Sequence, residues 1–307
     1  MGRINMLCAA IDIGSNTTRI LVAEPDEGKL KKVMEQRAYT RIGQARLDDG
    51  SIPEAKIAEV AEVVETQVRL ARELGAEHFR AVATAALRDA PNGSEAAEAI
   101  ERQAGIPVSV VSENEEGRLA FLGATKALGY KVEGRVAVVD VGGGSTEIII
   151  GTVEGGVEQV RSWPVGSGQL AEELITSDPP SASEIRRIRD RVDEVFEGVQ
   201  ITGPEQVVAV GGSATSLRKI VGARLEYETL ERSIRVLSGD DAVEVGRQFE
   251  LDPVRVRILP TGVLILEKIS ELLGQELQIG KGGIREGIVL DMLNGGIGVS
   301  EPALAPG

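Results

Sequence analysis

Two stretches of this chain carry one pattern: AIDIGSNTTRILV at residues 10–22 and VVDVGGGSTEIII at residues 138–150. Each reads as an apolar strand ending in an aspartate (Asp12, Asp140), then an apolar residue and a glycine (Gly14, Gly142). Two small residues, hydroxyls and a second apolar strand follow. A third strand comes next each time, over Leu30 to Gln36 and over Gly156 to Trp163, so each half opens as an antiparallel meander. A repeated supersecondary unit predicts two domains built on the same start and facing each other across a cleft. The 307 residues suffice for two domains, and the division is expected at 1–124 and 125–307.

After the first meander, strand and helix alternate. Ile57, Val60, Ala61, Val64, Val68 and Ala71 recur at helical spacing between Pro53 and Leu74, with proline in the first turn and Gly75 as the stop. A strand over 79–84, a helix over 94–104 capped by Ser94, a strand over 107–111 and a helix over 114–128 complete this half. The second half is expected to place helices at 169–176, 183–196, 213–221, 239–249 and 260–273 around one strand at 207–210. A last helix at about 285–294 is free to pack back on the first domain. The alternation predicts an α/β fold. The joint is expected in the glycine-flanked polar stretch 128–135, and the tail 296–307 reads as frayed.

The two Gly-rich loops are phosphate cradles in principle. Without Cβ atoms, consecutive N–H groups converge on one anion, and hydroxyls add donors. The candidates are Gly14, Ser15, Asn16 and Thr17 in the first loop. Gly142, Gly143, Gly144, Ser145 and Thr146 are their counterparts in the second. An ordinary hairpin turn is the alternative for each loop, and two matching loops in one chain favour the cradle. A carboxylate at that place repels phosphate, so Asp12 and Asp140 make sense beside a metal or a polarised water. For Asp12, a loop-shaping aspartate bonded to turn amides is the other reading. Gly211, Gly212 and Ser213 precede a helix and form a third anion site by geometry.

Composition limits the partners. Lys and Arg total 34 against 48 Asp and Glu, a net charge of −14, which disfavours a general DNA or membrane binder. Aromatics at 3% supply no stacking platform for single strands. Cys8 is the only cysteine and His78 the only histidine, which excludes an intrachain disulfide and a Cys- or His-rich metal cluster. No Gly-x-Ser-x-Gly elbow supports a serine triad. No apolar stretch has membrane-spanning length and the N-terminus lacks a signal-peptide layout, so a cytoplasmic protein is expected. An anionic substrate must then be held by backbone amides, a few arginines or a metal.

Further segments carry a resemblance: ATAALRDAPN at 83–92, SENEEGRLAFLG at 112–123, VGGSAT at 210–215 and GGIREG at 282–287. With the two loops they resemble, in order and from about Ala9 to Leu293, the exopolyphosphatase and guanosine pentaphosphate phosphohydrolase (Ppx/GppA) family. The resemblance implies two ribonuclease H-like domains of the actin, sugar kinase and heat-shock-protein superfamily around a central cleft. It implies that Glu116 activates the attacking water, with Glu115 as the alternative if the register slips by one. It also implies that Asp140, joined by Glu147 and Asp12, holds a magnesium ion, and that Arg88 and Asn92 contact phosphate. Without the resemblance, Glu113, Glu115 and Glu116 read as charges complementing a helix N-terminus. Gly117 stands where the family usually has alanine, and no helical domain of the His-Asp type follows, so the likeness is to the short two-domain form.

Three readings result. The first is a magnesium-dependent exopolyphosphatase removing terminal phosphate from inorganic polyphosphate. The second keeps the chemistry and takes guanosine pentaphosphate (pppGpp). The third is an ATP-binding regulator or kinase on the same fold. A homodimer is compatible with the sequence. The arginines at 186, 187, 189 and 191 alternate with acids and read as a solvated helix face, not a polyanion track. With no other extended cationic track in view, the sequence predicts distributive or weakly processive action on long chains.

Overall fold

The structure, a computed structural model, describes residues 6–26, 29–128 and 132–295. The expected frayed tail and the centre of the expected joint, 129–131, lie outside the described residues. The first half contains β1 (Cys8–Ile13), β2 (Thr18–Asp26), β3 (Lys29–Ala38), α1 (Glu54–Glu73), β4 (His78–Ala83) and α2 (Ala85–Arg88). It continues with α3 (Gly93–Ala104), β5 (Val108–Val110) and α4 (Glu113–Lys126). Its sheet runs β3-β2-β1-β4-β5, antiparallel through the meander and parallel from β1 to β4 and β5.

The second half repeats this plan. It holds β6 (Val136–Val141), β7 (Thr146–Thr152), β8 (Gly156–Trp163), α5 (Ser167–Leu174), α6 (Ala182–Val195), β9 (Gln206–Val210) and α7 (Gly211–Val221). Then come β10 (Arg224–Leu225), α8 (Tyr227–Leu237), α9 (Ala242–Phe249), α10 (Pro253–Leu273), β11 (Leu277–Ile279) and α11 (Ile284–Leu293). The sheet order is β10-β11-β9-β6-β7-β8, again a meander joined to parallel strands. The fold is therefore α/β with two sheets that share a five-strand order, extended in the second by the antiparallel edge strand β10. β1 is buried at every position, as a strand covered on both faces must be. The edge strand β3 is polar and lysine-rich, which blunts edge-to-edge pairing.

Two helices are exchanged between the halves. Phe121, Ala120 and Ala124 of α4 pack on Val136, Val138, Ile149 and Val208 of the second sheet. Ile288, Val289 and Met292 of α11 pack on Cys8, Ala10, Leu21 and Val82 of the first. Residue 124 lies in the last turn of α4, whose Ala120, Phe121 and Ala124 pack on the second sheet while its Leu119 packs with the first. The two helices touch backbone to backbone. A Cβ on Gly287 would lie 1.9 Å from the Leu119 carbonyl oxygen, and one on Gly123 would lie 1.9 Å from that of Gly283. Gly287→Val is expected to cost about 3 kcal/mol or more, because no flexible side chain is there to give way. A denaturant midpoint equal to that of the wild type would contradict this contact.

Some elements differ from the sequence reading. Helix α10 starts at Pro253, with the Asp252 side chain accepting from the Val254 amide, and Pro260 lies inside it. Proline is read most readily as a helix start, but burial of most of α10 in the core overrides that preference. Strands β10 and β11 are too short to give a periodic signal, and α8 went unread. At the start of α3 the cap position is Asn92, and Ser94 lies inside the helix.

Candidate active site

Both Gly-rich loops close with the same bond: the Gly14 amide donates to the Thr17 carbonyl at 3.0 Å, and Gly142 to Ser145 at 2.9 Å. The threonines that follow fasten the loops from beneath. Thr18 bonds the Thr40 hydroxyl at 3.0 Å, and Thr146 donates to the Val165 carbonyl at 2.6 Å. Across the cleft the loops meet, since a Cβ on Gly143 would fall 2.9 Å from Asn16 Cβ. The carbonyls of Gly142 and Gly143 accept from the Ser167 and Gly168 amides at 2.9 and 3.0 Å. In trans peptides this turns the amides of Gly143 and Gly144 the other way, off α5. Among the described residues, the amides of Ser15, Asn16, Gly143 and Gly144 donate to no protein acceptor. Four unused donors on two facing loops suit a phosphoryl group.

Beneath the loops lies a narrow inner cavity of about 80 Å³. Four carboxylates line it: Asp12, Glu116, Asp140 and Glu147. Strand register explains three of them. Asp140 is directly opposite Glu147 in the β6–β7 pair, and Asp12 opposite Arg19 in the β1–β2 pair. Arg19 Nη2 lies 2.5 Å from Asp12 Oδ2. The repeat thus places an arginine in one half where the other has a glutamate. Glu116 enters from the first turn of α4, where Arg88 Nη1 donates to its Oε2 at 2.6 Å.

Crowding raises the pKa values. Burial, then the charges of Asp12 and Asp140, push Glu116 up to about 7 against the opposing pull of Arg88. Burial, then Glu116 and Asp140, push Glu147 up to about 8. Burial raises Asp140 as well, with Asp12 adding and Arg19 opposing. A base that titrates near 7 predicts phosphate release rising with pH from 6 to 8. The sign for stability is opposite. Carboxyls with folded pKa values above their unfolded ones give stability present below about pH 4.5, lost as pH rises through 7 and 8. Thermal midpoints of the metal-free protein at pH 5 and pH 8.5 check this, and a higher midpoint at pH 8.5 would refute it.

Glu115 faces elsewhere. Its two oxygens accept from Arg118 at 2.8 and 2.9 Å and from Arg80 at 3.2 Å. The Arg118 bonds, with Arg80 adding, hold its carboxyl below the usual range. Both arginines also meet Asp291 of α11, at 2.5 and 2.8 Å. This four-residue ring clamps the start of α4 to β4 and α11, which leaves Glu116, of the two adjacent glutamates, as the one lining the inner cavity.

The donor set suits a magnesium ion. Among the described residues, no three Asp, Glu, His or Cys side chains form a ready-made metal cluster. Magnesium uses one or two carboxylates and completes its shell with water and substrate phosphates. Asp140 and Glu147, opposed in register and raised in pKa, meet that requirement. Gly211 is needed beside them: its φ is +83°, and a Cβ there would lie 2.2 Å from Asp140 Oδ1.

The sequence model of the Ppx/GppA phosphatase family matches residues 21–295. The chain belongs to this family. Among curated proteins it is similar to exopolyphosphatase 2 of Mycobacterium tuberculosis, 28% identical and covering 92% of this chain and 96% of that one. It is also similar to exopolyphosphatase 1 of the same organism, 26% identical over 94% of this chain and 89% of that one. Among solved structures, the Ppx/GppA protein of Aquifex aeolicus aligns with a TM-score of 0.80 at 30% identity, covering 95% and 98% of the two chains. An exopolyphosphatase of Cytophaga hutchinsonii, 19% identical with a TM-score of 0.81 over 94% and 98%, shares the fold.

Gly117 fits closely against β8: a Cβ there would fall 2.7 Å from Val160 Cγ2. Of the residues singled out in sequence, Gly14, Ser15, Asn16, Thr17, Gly142, Gly143, Gly144 and Ser145 line the inner cavity. Arg88 lines the adjoining outer cavity, and Gly211 and Gly212 line another. Three lie apart. The Asn92 amide accepts from and donates to the Ile52 backbone at 2.9 Å each way. Thr146 is buried beneath its loop, and Ser213 is buried where a Cβ on Gly262 would meet its hydroxyl at 2.5 Å. Arg19 was missed as a site residue, although the repeat itself aligns it with Glu147. No helix among the described residues is long and apolar enough to cross a membrane.

Proposed function

We propose that the protein is an exopolyphosphatase that cleaves the terminal phosphoanhydride of inorganic polyphosphate and releases orthophosphate. The observation that carries this reading is the inner cavity, where unused loop amides face a carboxylate whose pKa is near neutrality. The amides of Ser15, Asn16, Gly143 and Gly144 hold the terminal phosphoryl oxygens as charge builds on them. Glu116, oriented by Arg88, takes the proton from the attacking water. Asp140 and Glu147, with Asp12 as a further candidate, would hold a magnesium ion, which when bound neutralises charge between the carboxylates and the phosphates. The names of the curated relatives support polyphosphate as substrate.

A second reading takes pppGpp as the substrate. It is favoured by a cavity of about 350 Å³ beyond Asp140, lined by Arg19, Arg37 and Lys281 among others, which offers room and positive charge for the rest of a nucleotide. Membership of a phosphatase family favours hydrolysis over the kinase or regulator alternative. Phosphate release from polyphosphate, pppGpp and ATP, compared with and without magnesium, tests the reading. Release from polyphosphate should exceed that from ATP by about tenfold or more, since ATP makes no use of an extended phosphate-binding path. Faster turnover of ATP than of either of the others would overturn it.

A further inference from the structure

The inner cavity has a neighbour on either side. It shares Ser15, Asn16, Ala85 and Gly143–Ser145 with one outer cavity of about 540 Å³. It shares Arg19, Asp140 and Ile284 with the other, of about 350 Å³. The two outer cavities have no lining residue in common. Side-chain bonds cross between the halves at both. Gln44 donates to Glu172 at the first, and the Tyr39 hydroxyl donates to Asp252 near the second.

The two ends differ in charge. The first is lined by Arg46 and Arg88 against Asp89, Glu113 and Glu172. Arg88 is already paired with Glu116, and the Arg46 guanidinium donates to the Ala85 and Ala86 carbonyls. The second end is lined by five cations and three carboxylates. Lys32 and Arg285 there pair with Glu286 and Glu35, but Arg37 and Lys281 have no carboxylate partner among the described residues. Behind them stands Arg255, also without an ion pair among the described residues, donating to the Ser216 hydroxyl at 3.2 Å. Burial, then the neighbouring Arg37 and Arg19, lower its pKa to about 10. Cations gathered against their own repulsion are unfavourable until an anion joins them.

We infer that the cleft is a passage with two ports: the basic end holds the phosphate chain, while water enters and orthophosphate leaves by the other. The inference rests on the hydrolase reading and adds a direction to it. In-line displacement places the attacking water and the leaving oxygen on opposite sides of the terminal phosphorus. Water oxygen bonds to phosphorus and the bridging P–O bond breaks. The electron pair stays on the departing chain, and the water proton passes to Glu116. Arg88, which pairs with Glu116, and Glu113 both line the first end, so the water is assigned to that side and the leaving chain points to the second. With separate ports, orthophosphate departs without the chain letting go. The basic end thus supplies a track that linear reading did not show, and it replaces distributive action with retention of long chains between cuts.

The test compares tripolyphosphate with long-chain polyphosphate. In wild type, long chains should disappear with few intermediates on a gel. Combining Arg37→Glu with Lys281→Glu should lower the ratio of long-chain to tripolyphosphate kcat/KM by about tenfold or more and produce a ladder, since only longer chains reach these cations. Gln169 also lines the first end, and Gln169→Glu should instead weaken inhibition by orthophosphate about fivefold and leave that ratio unchanged, by local repulsion of one small anion. An unchanged ratio in the double variant, or a fall of the same size in Gln169→Glu, would overturn the two ports. If wild type released phosphate from neither substrate, the hydrolase reading itself would fail, which is a separate result.

Discussion

Glu116→Gln should lower phosphate release by about 10²–10⁴-fold, the range expected when a general base is lost. Glutamine keeps the shape of the side chain and cannot take the proton. Folding should be unimpaired, because the substitution removes one of four carboxylates crowded around the inner cavity. At pH 8 the variant should melt no lower than wild type. Glu115→Gln separates the two neighbours. It disrupts the ring with Arg80, Arg118 and Asp291 and should lower the thermal midpoint while costing far less activity. Glu116→Gln activity within about tenfold of wild type would remove this residue from the base role.

Removing divalent ions should abolish turnover, and magnesium should restore it. The chain carries a net charge of −14, its site gathers four carboxylates, and its proposed substrate is a polyanion. Nothing in that arrangement except a cation brings carboxylates and phosphates together. Binding has a readout apart from activity: a ligand that binds only the folded state raises its stability, by about 2.7 kcal/mol at a hundredfold excess over Kd. Magnesium should therefore raise the thermal midpoint of the wild type, and much less that of Asp140→Asn. Full activity in excess chelator would refute the metal-assisted mechanism whatever the fold.

Much of the architecture was legible because it is local. Strand, aspartate, glycine and hydroxyl follow one another within thirteen positions, twice, and each turn closes on itself through one backbone bond. Successive apolar strands with short joints placed the meanders, and helical spacing placed α1. Where the reading failed, distant packing had outweighed local preference. Pro260 sits inside a helix because the second core surrounds it, and Asn92 spends its amide on Ile52, forty positions away.

The site divides along the same line. The sequence by itself determined the two loops and the positions of Asp12, Asp140 and Glu147, since a strand of period two fixes which side chains share a face. It also determined that a glutamate begins α4. Tertiary structure decided which glutamate faces the cleft, because Glu115 and Glu116 are adjacent on one turn and Arg118 and Arg80, both held by Asp291 of α11, draw one of them away. It decided the exchange of α4 and α11 between the sheets, which depends on glycine surfaces meeting across 164 positions. It also gathered Arg19, Arg37, Arg255 and Lys281 at one end of the passage. Those four come from separate elements of both halves, and charge at such separations in sequence has no local signature until the fold brings it together.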